Sequence, residues 1–143
     1  MKRILGALLL LLSGQAWAAN HYVDPTCTNN GDGTLGTGGT GSGKTAVSVC
    51  ATSGGGAGPW NTWASATWTA SDGYYGKGGT TFTGACQFLV TASGSAGNPM
   101  IFSSYGTGQH VMNCTSGNYV FGWTGTRTYV TVDNMSMINS AGE

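Results

Sequence analysis

Glycine breaks this chain too often for a long helix to form. There are 26 glycines among 143 residues, and they lack the three-residue period of collagen. Between them Val, Ile, Phe, Tyr and Trp gather in short runs bounded by Gly, Asn and Pro. Short β-branched and aromatic runs between turn residues indicate strands and tight breaks rather than disorder. No long helical pattern separates the runs, which argues against a doubly wound α/β sheet.

The runs can be placed one by one. HYVD, residues 21–24, reads as an opening strand stopped by Pro25. Residues 26–58 are a Gly/Thr/Ser-rich loop whose one apolar island is AVSVC. After Pro59, residues Trp60, Trp63 and Ala64 stand at i, i+3 and i+4, which predicts a short helix burying one aromatic face. DGYYGKGGTTFTG predicts two strands around a Gly turn, and CQFLVTA, MIFSSYG, HVMNC and NYVFGW predict one each. In TYVTVDNMSMIN the residues alternate with period two as far as Asp133. Asp133-Asn134 then interrupts, and Asn134 suits a left-handed turn because Asn tolerates positive φ.

The first 18 residues have the form of a secretory signal peptide. Lys2 and Arg3 precede the apolar run from Ile4 to Leu12, and Ala16-Trp17-Ala18 is a small-x-small cleavage site. The run is too short to span a bilayer. Residues 19–143 then form one secreted or periplasmic domain. It carries three basic side chains against five acidic ones, a net charge of −2 with both histidines neutral. A chain so poor in Lys and Arg has no electrostatic footprint for nucleic acid or for an anionic membrane. Cys27, Cys50, Cys86 and Cys114 are an even set in an exported chain, which favours disulfides. Of three pairings, Cys27–Cys50 with Cys86–Cys114 is favoured, since each bridge closes a Gly/Thr-rich or turn-rich segment.

Several stretches occur in an order that resembles one superfamily. They are HYVDPTC, GAGPWNTWASA, KGGTTFTG, VTASGSAGNPMIFSSYGTG and TYVTVDNMSMIN. Together they resemble the N-terminal part of secreted right-handed parallel β-helix proteins of the pectate-lyase-like kind. The resemblance implies an all-β fold: an N-terminal cap with a short capping helix, then the first two or three coils. Such proteins continue for many coils, so it also implies an incomplete stack. A solenoid coil buries its face only against the next one, and an open coil end invites self-association. A polysaccharide or glycan is the implied partner, either bound or cleaved. The alternative is a non-catalytic adhesin-like or structural surface module.

No motif settles the chemistry. Residues 38–45, GGTGSGKT, fit the phosphate-binding loop pattern ending in Lys44 and Thr45. That loop needs a buried strand before it and a helix after it, and neither NNGDGTLGT nor AVSVCATSGGG supplies one, so no nucleotide is expected. TNNGDGT, residues 28–34, has part of a calcium-loop spacing. It lacks the acidic first and twelfth positions, which leaves calcium on Asp32 plus carbonyls as the alternative to an Asx-type turn. The five carboxylates are widely spaced, with no close pair of the kind glycoside hydrolysis needs, so no catalytic residue is assigned. Arg127 and Asp133 could pair across a groove; a loop charge and a turn residue are the plainer reading. His21 and His110 are each lone. T-x-T pairs such as Thr81/Thr83 recur too irregularly for an ice-binding face. Trp60 and Trp63 read as core. Trp68, Tyr74 and Trp123 remain the aromatic candidates for stacking on sugar rings.

Overall fold

A computed structural model describes residues 18–117 and 119–139. The expected signal peptide lies outside the described residues except for Ala18. The described chain is mostly β and every strand pair in its sheets is parallel. The first sheet has the order β1 (Asn20–Val23), β2 (Gly73–Lys77), β5 (Met100–Tyr105) and β8 (Val130–Val132). The second has β3 (Thr81–Ala85), β6 (His110–Ser116) and β9 (Met135–Asn139). The third pairs β4 (Phe88–Val90) with β7 (Phe121–Trp123). From β2 onward the chain visits the first, second and third sheets in strict rotation.

The turns that permit this rotation use residues without side-chain bulk or with tolerance for positive φ. Between β2 and β3, Gly78 donates to Tyr105 O at 2.7 Å, and a Cβ there would lie 2.5 Å from Gly108 O. Its neighbour Gly79 has φ of 71°. DGYYGKGGTTFTG thus forms the two expected strands, but they enter different sheets rather than a hairpin. Asn134 separates β8 from β9 at φ of 50°, the left-handed turn its sequence position suggested.

Strand alternation fills one common core. In register, Tyr74 on β2 stands beside Phe102 on β5, and Phe102 beside Val132 on β8. In the second sheet Phe82, Met112 and Met137 form a similar column, and in the third Val90 stands beside Trp123. The Tyr74 and Phe102 rings stack with centroids 5.4 Å apart. Tyr74, Phe102, Met112 and Val90 are fully buried. Each such side chain contributes about 1.5–3 kcal/mol of transfer free energy.

Two expectations need correction. The helix after Pro59 is only a 3-10 turn, Trp63–Ser65. Thr62 caps it by accepting from Ala64 N, and the chain is extended again at Ala66. The β-branched Thr67 and Thr69 that follow are poor helix formers. The loop at residues 26–58 also packs through Leu35 and not only through its AVSVC island. It lies over the outer side of the first sheet, where Ala46 and Leu35 pack with Tyr22, Tyr75, Tyr105 and Ile101. Gly43 N donates to the Tyr22 hydroxyl at 2.9 Å, and Ser48 Oγ lies 2.7 Å from the Tyr105 hydroxyl. The disulfide Cys27–Cys50 closes this cover, and Cys86–Cys114 joins the segment before β4 to β6. These are the two pairings the loop argument favoured.

Candidate functional site

The ionisable groups are committed to structure. Asp24 is 1% exposed; its Oδ2 lies 2.7 Å from Lys77 Nζ, and its Oδ1 accepts from Thr26 N and Oγ1. Asp72 Oδ2 is 3.0 Å from His21 Nε2. Asp133 Oδ2 is 2.7 Å from Lys44 Nζ, and that ammonium holds the Asp133 carboxyl below the usual carboxylate range. Asp32 Oδ1 accepts from Thr34 N, Thr34 Oγ1 and Gly58 N. Burial pushes the Asp32 carboxyl up, but these bonds together bring it below its ordinary value. The four described carboxylates therefore serve two ion pairs with lysines, a hydrogen bond with His21 and one Asx-type turn. Asp24, Cys27 and Cys50 bring ligand-type atoms within 4.8 Å of one another, yet both sulfurs belong to the disulfide.

The histidines are structural as well. His21 is sandwiched between Trp60 and Tyr74, with ring centroids 5.3 and 5.1 Å away. His110 is fully buried. Its Nε2 accepts from Trp63 Nε1 at 2.9 Å, which leaves Nδ1 to carry the proton toward Lys77 O at 3.0 Å. Burial pushes this imidazole below its ordinary pKa, so the neutral form fits the site. Arg127 does not reach Asp133; its guanidinium donates to Thr124 Oγ1.

The three nominated aromatics separate. Tyr74 is fully buried and its hydroxyl is occupied, donating to Thr67 O and accepting from Thr69 N, so no face is open to a sugar. Trp68 is partly buried and packs edge-on against Tyr74 and Phe102. Trp123 keeps 44% of its surface exposed. It opens into a cleft of about 220 Å³ with Gly125, Arg127 and Val130, at the end of the core where β7 and β8 have no outer neighbour among the described residues.

A roomier concavity lies elsewhere. A trough of about 640 Å³ follows β3, lined by all five of its residues from Thr81 to Ala85. Pro25, Asn61, Thr62 and Ala64 form its opposite wall. Because both alternations of β3 contribute, the trough runs along the strand's edge and not over one face. That outer edge pairs with no strand among the described residues. The lining carries no charged side chain; it offers the hydroxyls of Thr81, Thr83 and Thr62, the Asn61 amide, and main-chain groups of both polarities. Sequence reading missed this site. Its only local trace was the Thr81/Thr83 pair flanking Phe82, and its other wall comes from a distant segment.

The stretch that fits a phosphate-loop pattern contains a three-residue 3-10 turn, Gly43–Thr45, with Lys44 spent on Asp133. No protein-family model, curated protein or solved structure matches the chain.

Proposed function

We propose that this chain is the N-terminal part of an exported right-handed parallel β-helix that binds a polysaccharide or glycan along the free edge of β3 without cleaving it. Strict rotation of the strands through three parallel sheets supports the coil reading. The two disulfides support export into an oxidising compartment. The observation that carries the function is the uncharged trough beside β3. A free strand edge alternates donors and acceptors, and so do the hydroxyl groups of a neutral sugar chain. The commitment of all four described carboxylates to lysine ion pairs, a His21 hydrogen bond and a turn favours binding over hydrolysis or lyase chemistry.

The test is calorimetric titration with neutral polysaccharides and, separately, uronic-acid polymers with calcium, following ultraviolet absorbance for unsaturated products. Saturable binding to a neutral glycan is expected, weakened about tenfold in Thr81→Val/Thr83→Val by loss of two hydroxyl partners. Binding to none of them, or affinity unchanged in the double variant, would remove the trough from the account. Release of unsaturated products would overturn the non-cleaving reading.

A further inference from the structure

Two of the described carboxylates are buried, Asp24 at 1% and Asp72 at 6% exposed. Asp24 has Lys77 as its counter-charge. Among the described residues Asp72 has no lysine or arginine, since Lys44 is spent on Asp133, Lys77 on Asp24, and Arg127 donates to Thr124. The Asp72 Oδ2 lies 3.0 Å from His21 Nε2, and Oδ1 accepts from the main-chain nitrogen of Ala19 at 2.9 Å. A buried carboxylate without a full counter-charge is costly. The main chain around it is held on both sides. Ala19 O accepts from Gly73 N at 2.9 Å, and Ile101 N donates to Asp72 O at 3.1 Å. Gly73 permits this approach because a Cβ there would lie 2.7 Å from Asn20 Oδ1. Ala19 itself is exposed.

We infer that removal of residues 1–18 supplies the missing charge: the new α-ammonium of Ala19 pairs with Asp72, and export processing thereby completes the start of β1. The inference rests on the export part of the proposed function and not on glycan binding. Ala16 and Ala18 place small side chains at the positions a signal peptidase reads, which puts the cut between Ala18 and Ala19. A cut one residue later would set the bulky Trp17 where a small residue is needed. The peptidase adds water across the Ala18–Ala19 peptide bond. Ala18 takes the oxygen and leaves as a carboxylate, and Ala19 N takes both protons and becomes an ammonium. An α-amine is mostly protonated at neutral pH, its ordinary pKa being about 7.7–8.0. The uncut amide offers Asp72 one N–H and no charge. The ammonium offers three N–H groups and a full positive charge, at the atom that already stands 2.9 Å from Oδ1. His21, the other partner, carries a charge only when protonated.

The test has two parts. N-terminal sequencing of the chain recovered after export is expected to read Ala19 first. Urea unfolding at pH 7 then compares two oxidised chains, one starting at Ala19 and one at Gln15, each released from a fusion by a specific peptidase. Starting at Gln15 moves the ammonium up to about 14 Å along the chain, beyond the screening length of about 10 Å at roughly 0.1 M salt. The chain starting at Ala19 is expected to have the larger folding constant by about fivefold, between the values for exposed and buried pairs. In Asp72→Asn, which keeps an oxygen for Ala19 N, the two starts are expected to unfold alike. If Asp72→Asn does not fold, salt is read in its place, and the difference should vanish at roughly 1 M. Equal stability of the two starts, or a difference that persists in Asp72→Asn or at high salt, would overturn the ion pair. A first residue other than Ala19 would overturn it as well, and retention of residues 1–18 would take the export reading with it. Glycan binding is a separate result, because Asp72 does not line the trough.

Discussion

The two ends of the first sheet begin and finish with strands of similar length but opposite surroundings. At β1 Gly33 of the cover loop accepts from Tyr22 N and Trp60 O from Asp24 N, a disulfide closes the cover, and Lys77 meets the buried Asp24 carboxylate. At β8 no further strand of the sheet follows among the described residues, and Val132 stands exposed in the column where Tyr74 and Phe102 are fully buried. The sequence class of the residues is the same at both ends, aromatic and β-branched on the inner positions. What differs is the presence of a neighbour on the outer side. Burial is a property of the stacked strands, and a position on an edge strand lacks the covering that the next strand supplies to an inner one.

Substitution of a buried side chain and of one at the open end should make that contrast measurable. Trp63 is fully buried, and its indole N–H satisfies His110. Trp63→Ala is expected to cost about 4 kcal/mol in urea unfolding, against less than about 1 kcal/mol for Val132→Ala at the open end. Equal costs would mean that the open end is as well packed as the capped one. Lys77→Met comes next. It leaves the Asp24 carboxylate buried with only Thr26 as donor, at about 3 kcal/mol. Adding Asp24→Asn removes the stranded charge and is expected to recover most of the loss; a further decline in the double variant would refute the ion-pair account.

A smaller effect belongs to His110. Its pKa is lowered in the fold by burial, with the nearby Lys77 carbonyl and Asp24 pulling weakly the other way. Below its ordinary value of 6.5 the unfolded chain therefore binds a proton that the folded chain refuses. Stability is complete above that pH and falls as pH drops beneath it, by at most about 1.4 kcal/mol per unit. Asp32 and Asp133, also lowered, add their loss only near and below 3.8. Urea midpoints from pH 7.5 to 5.0 test this; a flat profile would show that His110 takes up its proton without leaving the core.

How far the sequence carried these features depended on the range of the cause. Strand positions were legible because they follow from local alternation and from turn residues such as Gly79 and Asn134. Both disulfide pairings followed from which segments they close. The trough was not legible, since Thr81 and Pro25 meet only through contacts between segments far apart in the sequence. Nor was the Asp24–Lys77 pair, 53 residues apart in the chain. Tyr74 and Trp123 looked alike as sugar-stacking candidates. They differ because Tyr74 lies on β2, between two strands of its sheet, and Trp123 lies on β7, at the edge of its own.

The smallest predicted effect concerns the lysine of the phosphate-loop pattern. Lys44 reaches from the cover to Asp133, across 89 residues of sequence, and so touches both ends of the comparison. Its side chain is 53% exposed and that of Asp133 is 42% exposed. Water and salt screen such a pair, so Lys44→Ala is expected to cost at most about 0.5 kcal/mol at low ionic strength. At roughly 1 M salt, where the Debye length is about 3 Å, the difference should vanish. The sharper readout is the Asp133 carboxyl, followed by NMR. It is held below its ordinary value mainly by the Lys44 hydrogen bond, so the variant should titrate closer to 3.8. Its contribution to stability, present above that pH and lost as pH falls through the lowered folded value, should shrink accordingly. An Asp133 titration that does not move would mean that Lys44 does not hold it in solution, and that the cover stays in place through Tyr22, Tyr105 and the Cys27–Cys50 bridge alone.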